Sequence, residues 1–191
     1  MIRIIRLPEG RWREYRELRL EALKTEPSAF GSSIEEESKF AEDVWRKRIK
    51  SVLFALSDGR PVGLLSYVFE DRVKTRHVAH IYSFYVTPAY RGRGIGERLL
   101  ERALAEIRRN RDAVKAQLSV NPHLRPAVAL YKKAGFEVAG RARNELKIGH
   151  RYYDMLLMEK EVRSVSRLDK LERMTASEGF YQSGRHARNA N

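Results

Sequence analysis

A glycine-rich turn joins an apolar, strand-like segment to an amphipathic helix near the middle of the chain. Residues 86–96 have the sequence Val-Thr-Pro-Ala-Tyr-Arg-Gly-Arg-Gly-Ile-Gly, and apolar side chains recur at helical spacing from Ile95 onward. Alternate glycines allow the backbone to approach a ligand and to turn its N–H groups toward it. The helix N-terminus adds the positive end of a dipole. A strand–turn–helix unit of this kind indicates an α/β fold with a phosphate-binding site.

The spacing of the glycines separates this turn from two other phosphate-binding loops. A P-loop requires Gly-Lys-Ser/Thr, which is absent, and a dinucleotide-binding turn requires a third glycine where Glu97 stands. The pattern that does fit is Arg-x-x-Gly-x-Gly, formed by Arg91, Gly94 and Gly96.

Hydrophobic periodicity predicts a mixed α/β chain in which strands and helices alternate. The helix after Pro8 should end before Pro27, a second helix should span Glu36–Lys50, and Pro126–Ala134 should form a short one. The strands are predicted at residues 1–7, 52–56, 62–69, 76–86, 114–120, 136–142 and 152–162. Short turns join the earlier strands and helices join the later ones, which predicts a mixed sheet rather than a purely parallel one.

The composition restricts the class of protein and its partners. The chain has no cysteine and no apolar stretch of the roughly 20 residues that a membrane span needs, so we expect a cytoplasmic protein without membrane association. A formal net charge of +13 favours anionic partners. One alternative is therefore a nucleic-acid-binding protein, although no DNA- or RNA-binding motif is present. The histidines have no metal-ligand spacing, and we expect no metal site.

A second block agrees with the glycine-rich turn. Residues 127–136 have the sequence Ala-Val-Ala-Leu-Tyr-Lys-Lys-Ala-Gly-Phe. Together the two blocks resemble the GNAT superfamily of N-acetyltransferases, which has Gln/Arg-x-x-Gly-x-Gly/Ala after its fourth strand and Ala-x-x-Leu-Tyr-x-x-x-Gly-Phe further on. The resemblance implies a GNAT-like α/β fold, a mixed and largely antiparallel sheet of about seven strands flanked by about four helices.

The resemblance also implies that acetyl-CoA is the co-substrate and that an amine attacks it directly in a ternary complex. Backbone N–H groups of residues 91–97 would hold its pyrophosphate, and the end of the fourth strand would pair with its pantetheine arm. The cofactor-binding residues predicted in this way are Phe84, Tyr85, Val86, Arg91, Gly92, Arg93, Gly94, Ile95, Gly96, Glu97 and Asn121.

Two residues are candidates for the proton transfers. In the family, the tyrosine of the second block protonates the departing thiolate, which makes Tyr131 the candidate general acid. Several relatives place a base eleven residues before the motif arginine, a position that His80 occupies here. An imidazole can exchange protons near neutral pH. The alternatives are that Tyr131 only packs in the core and that His80 only packs or hydrogen-bonds in the sheet.

Two positions depart from the family pattern. Leu124 stands seven residues before Tyr131, where many relatives have asparagine, so that contact moves to Asn121 or is lost. Ser119 stands where relatives that acetylate protein N-termini can have glutamate, which argues against a peptide N-terminus. Tyr152 and Tyr153 are candidate walls of the acceptor pocket, although tyrosines in a final strand more often serve packing.

The chain divides into two parts. Residues 1–162 are expected to form the acetyltransferase domain, and 163–191 a basic, polar extension that is mobile or docks on a partner. The predicted acceptor is a primary amine of a small molecule or peptide, and a homodimer is possible by analogy. A CoA-binding sensor without turnover is a further alternative on the same fold.

Overall fold

The fold is built on one seven-stranded sheet with the strand order β1-β2-β3-β4-β5-β7-β6. It is described by a computed structural model covering residues 1–164. The strands are β1 Ile2–Ile5, β2 Val52–Ser57, β3 Arg60–Phe69, β4 Val78–Val86, β5 Lys115–Val120, β6 Glu137–Ile148 and β7 Arg151–Glu161. Neighbouring strands are antiparallel except β4 and β5, which are parallel. The predicted mixed, largely antiparallel sheet of about seven strands is confirmed. All but the first two residues of the predicted extension 163–191 lie outside the described part.

Helices cover both faces of the sheet. The described residues form α1 Trp12–Thr25, α2 Ile34–Glu37, α3 Glu42–Ile49, α4 Ile95–Arg109 and α5 Arg125–Lys133. Helices α1 and α3 pack in one apolar cluster with alternate residues of β2, whereas α4 and α5 pack in another with the intervening residues. Because side chains alternate along a strand, these clusters lie on opposite faces. We call them the α1 face and the α4 face.

The predicted single helix Glu36–Lys50 is wrong, which raises the helix count from about four to five in the described residues. A capping box begins α2 earlier, since the Ser33 hydroxyl accepts from the Glu36 N–H and the Glu36 carboxylate accepts from the Ser33 N–H. Helix α2 ends at Glu37 and α3 begins at Glu42. Between them Phe40 packs on Trp45, with 5.9 Å between ring centroids.

Strands β4 and β5 share only a short ladder. Their parallel pairing is limited to three residue pairs, from Val78–Lys115 to His80–Gln117. Further along β4, Ser83 has a φ of 52° and the register with β3 shifts by one residue, which marks a β-bulge. The bulge changes which side chains reach each face. His80 and Tyr82 lie on the α1 face, but Phe84 reaches Tyr131 on the α4 face.

A buried ion pair connects α1 to α2. Arg19 Nε donates to Glu37 Oε2 at 3.0 Å, and its Nη2 donates to Oε1 at 2.8 Å. The two side chains are 5% and 1% exposed. Burial by itself raises the pKa of the Glu37 carboxyl, but hydrogen bonds and charge from Arg19 and the charge of Arg48 outweigh it, so the pKa lies below its usual value. The carboxylate is therefore the form that the fold selects.

We expect Glu37→Gln to lower the free energy of unfolding by about 3 kcal/mol at neutral pH, because it leaves a buried charge on Arg19 without its anionic partner. Exposed Glu35 on the same helix is the matched control, and Glu35→Gln should change stability by less than about 0.5 kcal/mol. Urea denaturation measures both variants.

The effect of Glu37→Gln should depend on pH. A lowered folded-state pKa gives stability that is present above the unfolded-state value of 4.5 and is lost as pH falls through the folded-state value. The difference between wild type and variant should therefore shrink as pH falls below 4.5. A difference independent of pH would contradict this assignment.

Candidate active site

The glycine-rich turn connects β4 to α4 through two residues with left-handed backbone. Gly92 and Gly94 have φ angles of 72° and 73°, a region that favours glycine. Gly94 is the N-cap of α4 and supplies no side-chain cap. The first N–H groups of α4 are thus left without a capping side chain, and such a helix terminus attracts an anion.

The third glycine of the turn, Gly96, serves packing instead. A β-carbon at Gly96 would lie 3.3 Å from Leu130 Cδ2 and 3.5 Å from Phe84 Cζ, so the absence of a side chain there favours the close approach of α4 to α5 and β4. At Gly92 and Gly94 no heavy atom lies within 4 Å of that position. The space beside these two residues is open, whereas the space beside Gly96 is filled by the protein.

Charged side chains brace both ends of the turn. Arg91 Nε donates to the Val86 carbonyl at 2.9 Å, and its Nη1 pairs with Glu26 at 2.8 Å. At the start of α4, Glu97 pairs with Lys133 of α5 at 2.7 Å. Arg91 and Glu97 therefore fix the turn to its neighbours.

A single cavity of about 990 Å³ runs along the turn and through the region between β4 and β5. Most of the residues predicted from the sequence line it. They are His80, Phe84, Tyr85, Val86, Arg91, Gly92, Gly94, Ile95, Gly96, Glu97 and Tyr131. The cavity thus brings together residues that are far apart in sequence, from strand β4 to helix α5.

Arg93 and Asn121 are not among the lining residues. The Arg93 guanidinium lies over the Tyr90 ring, 5.3 Å from its centroid. Asn121 is 1% exposed; its Nδ2 donates to the Ser28 carbonyl at 3.3 Å and its Oδ1 accepts from the His123 N–H at 2.9 Å. These contacts give Asn121 a structural role between two loops, and its contact with a cofactor stays a prediction.

Tyr131 lies at the α4-face side of the cavity. Its ring packs against Phe84 and Phe136, each with centroids 5.9 Å away. Burial raises the pKa of the Tyr131 hydroxyl well above its usual value. The phenol therefore remains protonated at neutral pH, as a proton donor must before it acts.

His80 lies on the α1 face beside the end of the β4–β5 ladder. Its ring stacks on Tyr82 with a centroid distance of 6.0 Å and an interplanar angle of 10°. Its Nε2 is 3.7 Å from a Glu70 carboxylate oxygen. Strand position, stacking and the nearby carboxylate together restrain the imidazole, which lines the same cavity as Tyr131.

The last hairpin contributes different residues from those expected. Tyr152 and Tyr153, the candidate walls of the acceptor pocket, do not line the cavity, and Tyr152 is 58% exposed beside Lys147. Glu145, Leu146 and Met155 line it instead. Register shifts between β6 and β7 at residues 142–146 determine which side chains of the hairpin point inward.

Sequence reasoning missed several polar residues on the α1-face side. They are Arg19, Arg48, Ser66, Gln117 and Glu145. Arg19 stands in an otherwise apolar helical stripe, between Leu18 and Ala22, and this position was the available signal of a buried charge. Nothing in the local sequence distinguishes the other four from surface residues.

Two negative observations apply to residues 1–164. No group of three or more His, Asp or Glu side chains in this part of the chain is arranged to hold a metal ion. No helix there is both long and apolar enough to cross a membrane.

Comparisons with known proteins agree with this architecture. A GNAT-family acetyltransferase from Streptococcus pneumoniae superposes with a TM-score of 0.77 at 20% identity, covering 85% of this chain and 100% of that one. The structure of yncA from Salmonella typhimurium, with its cofactor acetyl-CoA, gives a TM-score of 0.75 at 19% identity over 87% and 96%. A ribosomal-protein-alanine N-acetyltransferase from Brucella melitensis gives 0.68 at 25% identity over 83% and 99%.

Sequence comparison gives the family. An uncharacterized N-acetyltransferase of Methanocaldococcus jannaschii is 34% identical over 82 residues, which is 42% of this chain and 36% of the relative's length. The family model for acetyltransferases of the GNAT family matches residues 12–136, which include the glycine-rich turn, His80 and Tyr131. The chain therefore belongs to the GNAT family of acetyltransferases.

Proposed function

We propose that the chain transfers an acetyl group from acetyl-CoA to a primary amine of a small molecule or peptide. The observation that supports this best is the shared cavity. It connects the open backbone at Gly92 and Gly94 with both Tyr131 and His80. A phosphate site, a protonated phenol and an imidazole along one cavity meet the needs of thioester aminolysis. The acetyl-CoA of yncA, a protein of the same fold, is consistent with this.

The residues beside the turn fit a diphosphate. Open space next to Gly92 and Gly94 allows close backbone approach, and the uncapped N-terminus of α4 supplies N–H donors and a positive dipole end. Beyond the bulge, the Phe84–Val86 end of β4 lines the cavity. We assign the diphosphate to the turn and the pantetheine arm to this end of β4.

Bound acetyl-CoA supplies an acetyl group already activated as a thioester. In the proposed reaction the amine nitrogen bonds to the thioester carbonyl carbon, the carbon–sulfur bond breaks, and one proton leaves nitrogen while sulfur gains one. His80 on the α1 face accepts the proton from the amine, directly or through water. Tyr131 on the α4 face donates a proton to the departing sulfur. The opening between β4 and β5 allows both groups to reach one reacting centre.

Gly94→Val should reduce acetyl-CoA affinity at least about tenfold in calorimetry, because the new side chain would occupy the space where the diphosphate lies. Gly59→Val is the matched control: Gly59 also has a positive φ, 82°, and open space, but lies in the β2–β3 hairpin outside the cavity. Both variants should lose about 1–2 kcal/mol of stability from backbone strain. Equal acetyl-CoA affinity in the two variants would refute the assignment of the turn.

Tyr131→Phe should lower kcat about 100-fold while leaving acetyl-CoA affinity unchanged, because only the proton donor is removed. The measurement is thiol release with amine and acetyl-CoA at saturation, and Tyr152→Phe, outside the cavity, serves as the control. An unchanged kcat would remove Tyr131 from the chemistry. If the wild-type chain bound acetyl-CoA without turnover, the alternative of a CoA-binding sensor on the same fold would be favoured.

His80→Ala should lower kcat about 100-fold with acetyl-CoA and acceptor at saturation, because the variant has no side chain to accept the proton from the amine. His77, outside the cavity, provides the control His77→Ala, for which we expect the wild-type kcat. An unchanged kcat in His80→Ala would show that another group is the base.

A further inference from the structure

Two arginines share one carboxylate in the α1-face wall of the cavity. Arg19 forms a bidentate pair with Glu37, and Arg48 Nη1 lies 3.3 Å from Glu37 Oε1. All three residues line the cavity. Two guanidinium groups against one carboxylate leave this group, which we call the guanidinium cluster, with a net charge of +1. The wall therefore attracts an anion.

The cluster contains an unused donor. Arg19 Nη1 is buried and has no hydrogen-bond partner among the described residues, although the side chain is only 5% exposed. Buried polar groups are nearly always hydrogen-bonded, so such an exception requires an explanation. The Phe30 ring covers one face of the guanidinium at 4.6 Å, but guanidinium N–H groups point outward in the guanidinium plane. The unpaired donor leaves the positive charge of Arg19 only partly compensated behind the wall, which adds to the attraction of the wall for an anion.

Arg48 is the member of the cluster that a ligand can reach directly. Its side chain is 39% exposed, it lies over the Phe40 ring at 4.5 Å, and its charge and hydrogen bonding act on the Tyr15 hydroxyl. These contacts together with Glu37 hold the guanidinium in place before a ligand binds. A preorganised arginine loses little side-chain entropy on binding a carboxylate.

The hairpin wall of the same cavity has the opposite charge. Glu145 of β6 lines it and is exposed, and its carboxylate forms no hydrogen bond or ion pair with another described residue. His80 and Gln117, register partners on β4 and β5, lie on the sheet between these walls. A cavity with a cationic wall and an anionic wall fits a ligand with separate charges of both signs.

We propose that the acceptor is a free amino acid, whose carboxylate binds Arg48 with the charge of Arg19 behind it while its amine reaches His80. This inference rests on the proposed function and names its substrate class. A peptide N-terminus has a neutral amide where the amino acid has its carboxylate, so the guanidinium cluster favours the free acid over the peptide.

The test uses sets of acceptors that differ in the carboxylate, with kcat/KM expressed per unprotonated amine because the neighbouring carboxylate or amide also changes the pKa of the amine. Leucine, leucinamide and 3-methylbutylamine form one set, and equivalent sets built on phenylalanine, methionine and histidine extend it. With acetyl-CoA and the full chain, kcat/KM should be at least about tenfold higher for the free acid, the value of about one charged hydrogen bond. Equal or higher kcat/KM for the amide, the amine or a dipeptide would overturn the proposal.

Variants locate the preference at the cluster. Arg48→Gln should lower kcat/KM for the free acid about tenfold more than kcat/KM for the amine, and Arg48→Lys should restore part of the difference. Arg46→Gln is the matched control, because Arg46 lies on the same helix, pairs with Glu42 and does not line the cavity. An Arg48→Gln variant that slows acid and amine equally would also overturn the proposal.

Calorimetry separates this proposal from the proposed function. Leucine or another free acid should bind to the CoA-loaded protein, and Arg48→Gln should weaken that binding about tenfold. Acid binding of this kind without acetyl transfer would overturn the proposed function and keep the acceptor site. Acetyl transfer that does not depend on the carboxylate would keep the proposed function and overturn the acceptor site. A failure of every free acid to bind would overturn the acceptor site.

Discussion

The short parallel ladder between β4 and β5 is the feature on which the rest of the site depends. Three residue pairs hold these strands together, while β4 continues six residues further, to Val86. In a fully paired sheet the two faces would be separated by a continuous backbone. Here the two faces are connected through the region beyond the end of the ladder, and the cavity occupies that region. In the proposed reaction, a substrate on one face can therefore meet a cofactor that approaches from the other.

The bulge at Ser83 determines which side chains of β4 lie on each face beside this opening. Without the extra residue, Phe84 would lie on the same face as His80 and Tyr82. With it, Phe84 packs against Tyr131 on the α4 face, while Tyr85 hydrogen-bonds to Glu21 of α1 on the other. The end of β4 is thus anchored on both sides of the sheet. This anchoring fixes the position of the turn that follows, in which Gly94 begins α4.

Local sequence determined those elements in which one pattern dominates. The apolar series that begins at Ile95 predicted α4, and six apolar residues of that helix are buried, namely Ile95, Leu99, Leu100, Ala103, Leu104 and Ile107. Prediction from local sequence failed where a helix-start signal was overlooked or where several signals were of similar strength. The capping box at Ser33 was missed, and one helix was predicted where α2 and α3 form. For Tyr152 and Tyr153 it left a pocket wall and simple packing as alternatives, since register shifts in the β6–β7 pairing decide which residues face inward.

The sequence by itself determined the glycine-rich turn, the second block at residues 127–136 and the alternation of strands and helices. These features were sufficient to recognise the family and to name candidate site residues such as Tyr131. Dihedral preference and periodicity act over a few residues, so they can be recognised locally. Only the tertiary structure decided that Arg19, Glu37 and Arg48 form one charged wall, and that His80 and Tyr131 share one cavity from opposite faces. The reason is physical: desolvation, ion pairing and strand register depend on groups distant in the chain, and no local pattern encodes their distances.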